Sequence, residues 1–304
     1  MFSKIKSIIS YLAPGSYSIS YRMRIVNKLA REFKDIPANK REKLLKECAS
    51  DKSPQIRTNA SMILSDNFDI ISEDTRNTLM DRLGNDDEMA FGREAIAGIL
   101  VLYFDKIPKD IRENLILKFS EDSLSWVRYH CATVVLQNFN DISKSALEEI
   151  IRKLSCDEDH LIRQRISEVE CEDFKMLPVN MQKNLLVKFS DDGDEDVRNN
   201  AARTIVDNFD NIPQKTAEEI LKKFADDNYI HVRIEVVRAL EWHFKKISYD
   251  ARCEILRKFS REKDTEIKRN INKILIHNRK EIPDGILGLF GIYDDEFLDM
   301  VDMK

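Results

Sequence analysis

Three groups of side chains in this 304-residue chain are of types that do chemistry. The stretch DDGDEDVR (191–198) sets five acids around Gly193 ahead of Arg198. Such a cluster is raw material for a calcium loop or for paired carboxylates in acid–base work. A calcium loop needs oxygen ligands at fixed offsets and a closing bidentate carboxylate. Here an arginine follows the acids at close range, and the sister stretch DDNYIHVR (226–233) lacks most of the oxygens. Metal binding is therefore not expected. The five histidines are His130, His160, His231, His243 and His277; His130 and His231 flank arginines at different offsets and form no shared ligand set. No H-E-x-x-H, G-x-S-x-G, Walker or G-x-G-x-x-G motif occurs. The five cysteines, Cys48, Cys131, Cys156, Cys171 and Cys253, include no C-x-x-C pair, so free thiols of a reducing cytoplasm are expected rather than zinc or disulfides. The expectation is a chain with no catalytic residue, no metal and no cofactor.

The acids and arginines make sense once the elements that hold them are read. The chain is 42% hydrophobic and 34% charged with a formal charge of −5, a composition that folds in water. Eight glycines and seven prolines are few for this length and argue against an all-β fold. No apolar run approaches the roughly 20 residues that cross a bilayer, so no membrane insertion is expected. The start, MFSKIKSIISYLAPGS, has lysines and serines among its apolar residues. It reads as a plain helix over 2–13, not as a secretion signal.

Placed in register, DDGDEDVRNNAARTIVDNFDNIP (191–213), EDSLSWVRYHCATVVLQNFNDIS (121–143) and DDNYIHVRIEVVRALEWHFKKIS (226–248) align without a gap. Their arginines belong to the series Arg57, Arg93, Arg128, Arg163, Arg198 and Arg233, spaced by 36 residues once and by 35 thereafter, with Arg22 and Lys268 continuing it. Six positions before the arginines stand Asp51, Asp87, Asp122, Asp157, Asp192 and Asp227, then Glu262. Eleven positions after the arginine column stand Phe33, Phe68, Phe104, Phe139, Phe174, Phe209 and Phe244. An Ile or Leu follows three residues later, and then Pro or Ser every time, from Pro37 to Pro283.

Each period reads as two helices. The Pro/Ser column opens the first, since Pro suits a first turn and Ser supplies a capping oxygen. In the second, apolar residues at −1, +3, +4, +7 and +11 from the arginine form one stripe, as in Val197, Ala201, Ala202, Ile205 and Phe209. The acidic turn links the two, its charges near the positive end of the second helix. Each arginine is placed to bond the turn aspartate of its own unit and of its neighbour in a structural ladder: Asp51, Arg57, Asp87, Arg93, Asp122, Arg128, Asp157, Arg163, Asp192, Arg198, Asp227 and Arg233.

The phrase D-x-x-x-x-V-R-x-x-A-A, present from Asp192 to Ala202, resembles the core signature of HEAT repeats, in particular the short HEAT-like type of phycobilisome lyases. The resemblance spans about residues 2–283 and repeats eight times. It implies an all-α fold, a right-handed α-α superhelix of about eight helical pairs with a period of 35 residues. It also implies second helices lining a concave face that holds other macromolecules. Residues 1–283 read as one continuous solenoid domain with capping units at both ends. Residues 284–304, acidic and aromatic, read as a ninth capping helix weakened by Gly285, Gly288 and Gly291, or as a docking tail. Some HEAT-repeat enzymes bind iron through His-Glu pairs, and no such dipeptide exists here; some alkylpurine DNA glycosylases share the repeat, and none of their motif residues is matched.

Positions +2, +5 and +9 of the second helices face away from the seam. The partner-binding candidates there, with Lys28 beside them, are Arg24, Lys28, Arg31, Asn59, His130, Arg165, Asn200, Arg203, Glu235, Arg238 and Trp242. The chemistry is mixed, which fits a protein partner better than nucleic acid, whose phosphates want a continuous positive stripe. Residues 1–45 hold ten Lys/Arg against three acids, so a nucleic acid meeting Arg24, Lys28 and Arg31 is the alternative. A HEAT-fold enzyme, lyase or glycosylase, is the second alternative. The reading is a cytoplasmic, non-catalytic scaffold or adaptor for a protein partner.

Overall fold

The computed structural model describes residues 18–169 and 171–292, which contain helices and no strand. Two compact units divide the chain, one ending at Ile166 and the other beginning at Ser167. Residues 1–17, with the helix expected over 2–13, and the tail from 293 onward lie outside the described residues. No helix among the described residues is long and apolar enough to cross a membrane.

The first unit holds α1 (Ile19–Glu32), α2 (Ala38–Cys48), α3 (Pro54–Asp66), α4 (Glu73–Gly84), α5 (Ala90–Tyr103), α6 (Lys109–Phe119), α7 (Ser125–Gln137) and α8 (Lys144–Leu154). Helix α9 (His160–Ser167) runs to the division. Odd-numbered helices pack on one another in one layer, even-numbered helices form a second, and each successive pair is a hairpin. The second unit begins with α10 (Cys171–Met176) and α11 (Val179–Ser190). It continues through α12 (Glu195–Asp207), α13 (Gln214–Phe224), α14 (Ile230–His243), α15 (Tyr249–Phe259), α16 (Thr265–His277) and α17 (Asp284–Leu287). There α12, α14 and α16 make one layer and α11, α13, α15 and α17 the other. Each unit is thus an α-solenoid stack whose hairpins share the seam that the column spacing implies.

The apolar columns fill that seam. The phenylalanines from Phe33 to Phe244 and the Ile/Leu column from Ile36 to Ile282 are all buried. In most repeats the phenylalanine begins a single 3-10 turn, and the Ile/Leu residue then extends the chain into the next hairpin. Guanidinium groups cover several of the rings: Arg112 lies 4.2 Å from the Phe104 centroid, Arg252 4.5 Å from Phe244 and Arg76 4.8 Å from Phe68.

The Pro/Ser column stands at the N-cap, the position expected of serine and one residue before the first-turn position expected of proline: Pro37, Ser72, Pro108, Ser143, Pro178, Pro213, Ser248 and Pro283. Only Ser248 accepts a capping bond, from the Ala251 N–H. The serines serve a different purpose. Glu113 accepts the Ser143 N–H at 2.8 Å, and Glu218 accepts both the Ser248 N–H at 2.7 Å and its hydroxyl at 2.8 Å. Glu42 does the same for Ser72. Proline has no N–H to satisfy, so serine at this column goes with a glutamate 30 residues earlier.

The division falls where a second helix is broken. Other second helices run unbroken for 13 or 14 residues, whereas α9 stops at Ser167 and α10 starts at Cys171. The +7 column reads Leu29, Leu64, Leu100, Val135, Glu170, Ile205, Leu240 and Leu275. The periodic pattern itself continues through this point. At the C-terminal end, the expected ninth helix is a four-residue α17 followed by a 3-10 turn, Gly288–Phe290, and Gly291 at φ 76°. Left-handed backbone there closes the 3-10 turn.

Candidate partner-binding face

The ladder arginines hold the second helices in place. Each donates Nη1 to a turn carbonyl of its own unit: Arg57 to Asp51 at 2.8 Å, Arg128 to Asp122 at 2.7 Å, Arg163 to Asp157 at 2.8 Å, Arg198 to Asp192 at 3.0 Å and Arg233 to Asp227 at 2.8 Å. The other edge of the guanidinium forks onto a carboxylate 29 residues ahead. Arg93 donates Nε and Nη2 to Asp122 at 2.5 and 3.1 Å, Arg128 to Asp157 at 2.6 and 2.9 Å, and Arg198 to Asp227 at 2.7 and 3.0 Å. Arg233 does so with Glu262, and Arg22 pairs with Asp51 at 3.0 Å. The carboxylate also accepts a backbone N–H two residues on, as Asp122 does from Leu124 at 2.9 Å. One aspartate therefore fixes its own turn and anchors the preceding arginine.

Asp87 is a correction to the ladder. Arg57 forks onto Asp86, at 2.5 and 3.1 Å, while Asp87 is exposed and pairs with Lys118. The single 36-residue step explains it. Its extra residue falls in the turn after Asp86, so the arginine-to-acceptor spacing of 29 is kept and the acceptor-to-arginine spacing grows. Arg93 accordingly spans two carbonyls, Asp86 and Asp87, at 3.0 Å each.

The acids of DDGDEDVR are spent in the same way. Asp191 pairs with Lys223, Asp192 accepts the Asp194 N–H at 2.9 Å, and Asp194 caps α12 by accepting from Asp196 and Val197. Burial works to raise the Asp227 carboxyl, but the Arg198 fork and the Tyr229 N–H outweigh it and hold it below the usual aspartate range. Glu262 follows the same balance with Arg233 and its own turn N–H groups.

The outward face of the second helices holds the remaining candidates. Arg24 and Arg31 are exposed on α1, Arg31 donating to the Asn27 carbonyl at 3.3 Å, and Lys28 lies 4.0 Å from Glu32. Asn59 bonds Asn27 at 3.3 Å, and Arg165 donates to the Thr133 hydroxyl at 3.3 Å. His130 is half-buried beside Tyr129; burial pushes its imidazole down, against the pull of Glu94. In the second unit Asn200 donates to the Ser167 hydroxyl at 2.9 Å and Arg203 is exposed. Glu235 is buried and bound to Arg238 at 2.5 Å, so it does not face outward as its column position implied. Arg238 stacks 4.5 Å from the Trp242 centroid, and Trp242 is 56% exposed.

The face also carries residues outside the candidate columns. Phe91, Trp126 and Leu161 stand two positions before their ladder arginines and are exposed. The −2 position shares a face with +2, +5 and +9, which helical spacing alone makes legible. Cys48 is buried, its thiol pushed up to about 12, and Cys131 is pushed up by burial as well. His243 bonds the Val206 carbonyl at 2.8 Å and stacks on Phe209. Among the described residues no group of three His, Cys, Asp or Glu side chains is placed to hold a metal.

No protein-family model and no curated protein sequence matches the chain. Among solved structures, an engineered protein is similar at a TM-score of 0.50 and 16% identity, over 94% of this chain and 80% of that one. A second engineered protein gives 0.40 and 18%, over 73% and 97%. A karyopherin bound to the extreme C-terminus of a protein phosphatase gives 0.40 and 13%, over 98% of this chain and 38% of its own. The first of these likenesses shows a shared helical-repeat fold.

Proposed function

We propose that this chain is a non-catalytic, cytoplasmic scaffold of HEAT-like repeats that binds a protein partner through the outward face of its second helices. One observation carries the reading. Trp126 in the first unit and Trp242 in the second, 58% and 56% exposed, each stand on the outward side of a second helix that an arginine fork pins, Arg128 in one and Arg233 in the other. Large aromatics held rigidly in water are the side chains from which protein–protein hot spots are made. The ladder arginines cannot serve a phosphate backbone, since carboxylates and carbonyls already occupy their donors.

The test is capture from native lysate on the immobilised chain, with and without nuclease. A protein retained after nuclease, and lost on Trp126→Ala or Trp242→Ala, supports the reading; retention indifferent to both tryptophans overturns it. A second reading rests on Arg24 and Arg31, which are exposed and make no ion pair with an acid among the described residues. Capture abolished by nuclease and by Arg24→Glu/Arg31→Glu would favour that nucleic-acid reading instead.

A further inference from the structure

The first unit carries a face unlike the rest of the molecule. Helices α3, α5 and α7 contain no lysine, and one arginine each: Arg57, Arg93 and Arg128, all buried in the ladder. In a chain with 49 Lys and Arg, these three helices add no available cation to their outward face, which Arg165 of α9 borders where it donates to the Thr133 hydroxyl. What it presents is apolar. Phe91 is 68% exposed and Leu102 71%, with Met62 on α3 and Trp126 on α7 to either side.

The centre of this face is a trough. Along α5, between Phe91 and Leu102, the outward residues are Ala95 and Gly98, and a Cβ built on Gly98 meets nothing within 4 Å. The eleven-residue span is about 16 Å long at 1.5 Å per residue, two to three turns of a second helix laid alongside. Met62 rises on the α3 side, and His130 and Thr133 on the α7 side. Carboxylates dot this ground. Glu94 on α5, Asp66 at the end of α3 and Asp105 just beyond α5 form no salt bridge with Lys or Arg among the described residues, and Glu94 acts on the His130 imidazole. Elsewhere the chain pairs its acids freely, as in Lys153 with Glu121 and Glu149. Arg24 and Arg31 stand on α1, two helix spacings from α5, or roughly 20 Å at 8–10 Å each. That exceeds the screening length of about 8 Å in physiological salt.

We propose that the α3–α5–α7 face is a docking groove for an amphipathic helix of a partner protein that carries lysine or arginine beside its apolar stripe. This rests on the protein-binding reading and adds the partner's chemistry and its seat. Apolar anchors fill the Ala95–Gly98 trough between Phe91, Leu102 and Trp126, and the partner's cation meets Glu94. Anionic lipid and nucleic acid are disfavoured, since both need the cations this face lacks. The second unit offers no equivalent, because Arg203, Asp207 and Arg238 interrupt its face.

The probe is a fluorescein-labelled 14-residue peptide with leucines at i, i+3, i+4 and i+7 and lysines elsewhere, read by anisotropy on the full chain. Its controls are a glutamate counterpart and a scrambled sequence. The lysine peptide should bind best. Glu94→Lys and Gly98→Trp should each weaken it about tenfold or more, and Arg203→Glu should leave it unchanged. Gly98→Trp fills open space, so the fold survives it, which circular dichroism verifies.

Equal binding of the glutamate peptide, or indifference to both substitutions, overturns the proposal. So does Gly98-dependent sedimentation with zwitterionic vesicles, or a concentration-dependent dimer lost on Gly98→Trp, which would make the occupant a lipid surface or a second copy. Affinity that rises tenfold on deleting residues 1–17 would make it the chain's own lysine-bearing start. A captured partner that depends on Trp242 but not on Gly98 keeps the scaffold reading and sinks this one.

Discussion

Arg93 and Asp122 meet fork to fork across two adjacent hairpins, with Nε to Oδ2 at 2.5 Å, Nη2 to Oδ1 at 3.1 Å and side chains only 5% and 3% exposed. This pair is more deeply buried than the pairs of Arg22, Arg57, Arg128, Arg198 and Arg233 with their carboxylates. Removing one partner strands the other charge, whereas removing both strands only uncharged groups, the Asp86 and Asp87 carbonyls and the Leu124 N–H. Arg93→Leu and Asp122→Leu should each cost about 3–5 kcal/mol, and the double variant should cost less than their sum by about 1–3 kcal/mol. Urea denaturation of the four proteins checks this. A purely additive result would mean that the pair is not coupled.

The pH dependence follows from Asp227 and Glu262, both held below their ordinary values by the arginines that reach them. A carboxyl depressed in the folded state contributes stability that is fully present above its unfolded value, near 4. That contribution is lost as pH falls through the lower folded value. Stability should therefore be flat from neutral pH to about 5 and fall steeply below about 4. Asp227→Asn should lower stability at neutral pH and flatten the acid limb. Melting temperatures at intervals from pH 7 to pH 2.5 measure both effects.

The glutamate that serves a serine should be dispensable where proline replaces that serine. Glu218 takes the Ser248 N–H and hydroxyl at 2.7 and 2.8 Å, and although burial raises it, those bonds hold its carboxyl low. Glu218→Ala leaves the Ser248 N–H without its acceptor and should cost about 1–3 kcal/mol. In a Ser248→Pro background, which reproduces the N-cap of five sister hairpins, the same substitution should cost less than about 1 kcal/mol. Equal losses in both backgrounds would remove this account of the column.

Much of this was legible from register alone, because a repeat states each rule several times. The arginine, phenylalanine and Ile/Leu columns placed the helices and their buried faces, and Phe33 to Phe244 all point into the seam. What escaped was what register cannot weigh. Counting six back from Arg93 picks Asp87, whereas counting 29 forward from Arg57 picks Asp86; the second is the physical contact, since it crosses between hairpins of constant length. Glu235 shares its column with outward residues, yet it is buried and pairs with Arg238 three residues on. The break at Ser167 was not read from the sequence, because the repeat columns continue in register on either side of it. The apolar face of α5 was missed because Ala95 and Gly98 have little side chain to weigh.

Two helical glycines separate packing from openness. A Cβ on Gly84 would collide with Leu115 Cδ2 and press Ile96 at 3.3 Å, and Leu115 and Ile96 are both fully buried. Gly84 is the residue that lets α4 approach the next hairpin. Gly84→Ala should cost about 1–3 kcal/mol through overpacking, despite the better helix propensity of alanine. Pairing it with Leu115→Val should recover part of the loss. Gly98 faces open space on α5, so Gly98→Ala should stabilise by up to about 1 kcal/mol. Opposite signs for the same substitution on the two helices of one hairpin, read as shifts in urea midpoint, are the expected result. A stability loss at Gly98 comparable to that at Gly84 would mean that the trough is filled, and would remove the ground on which a partner helix is seated there.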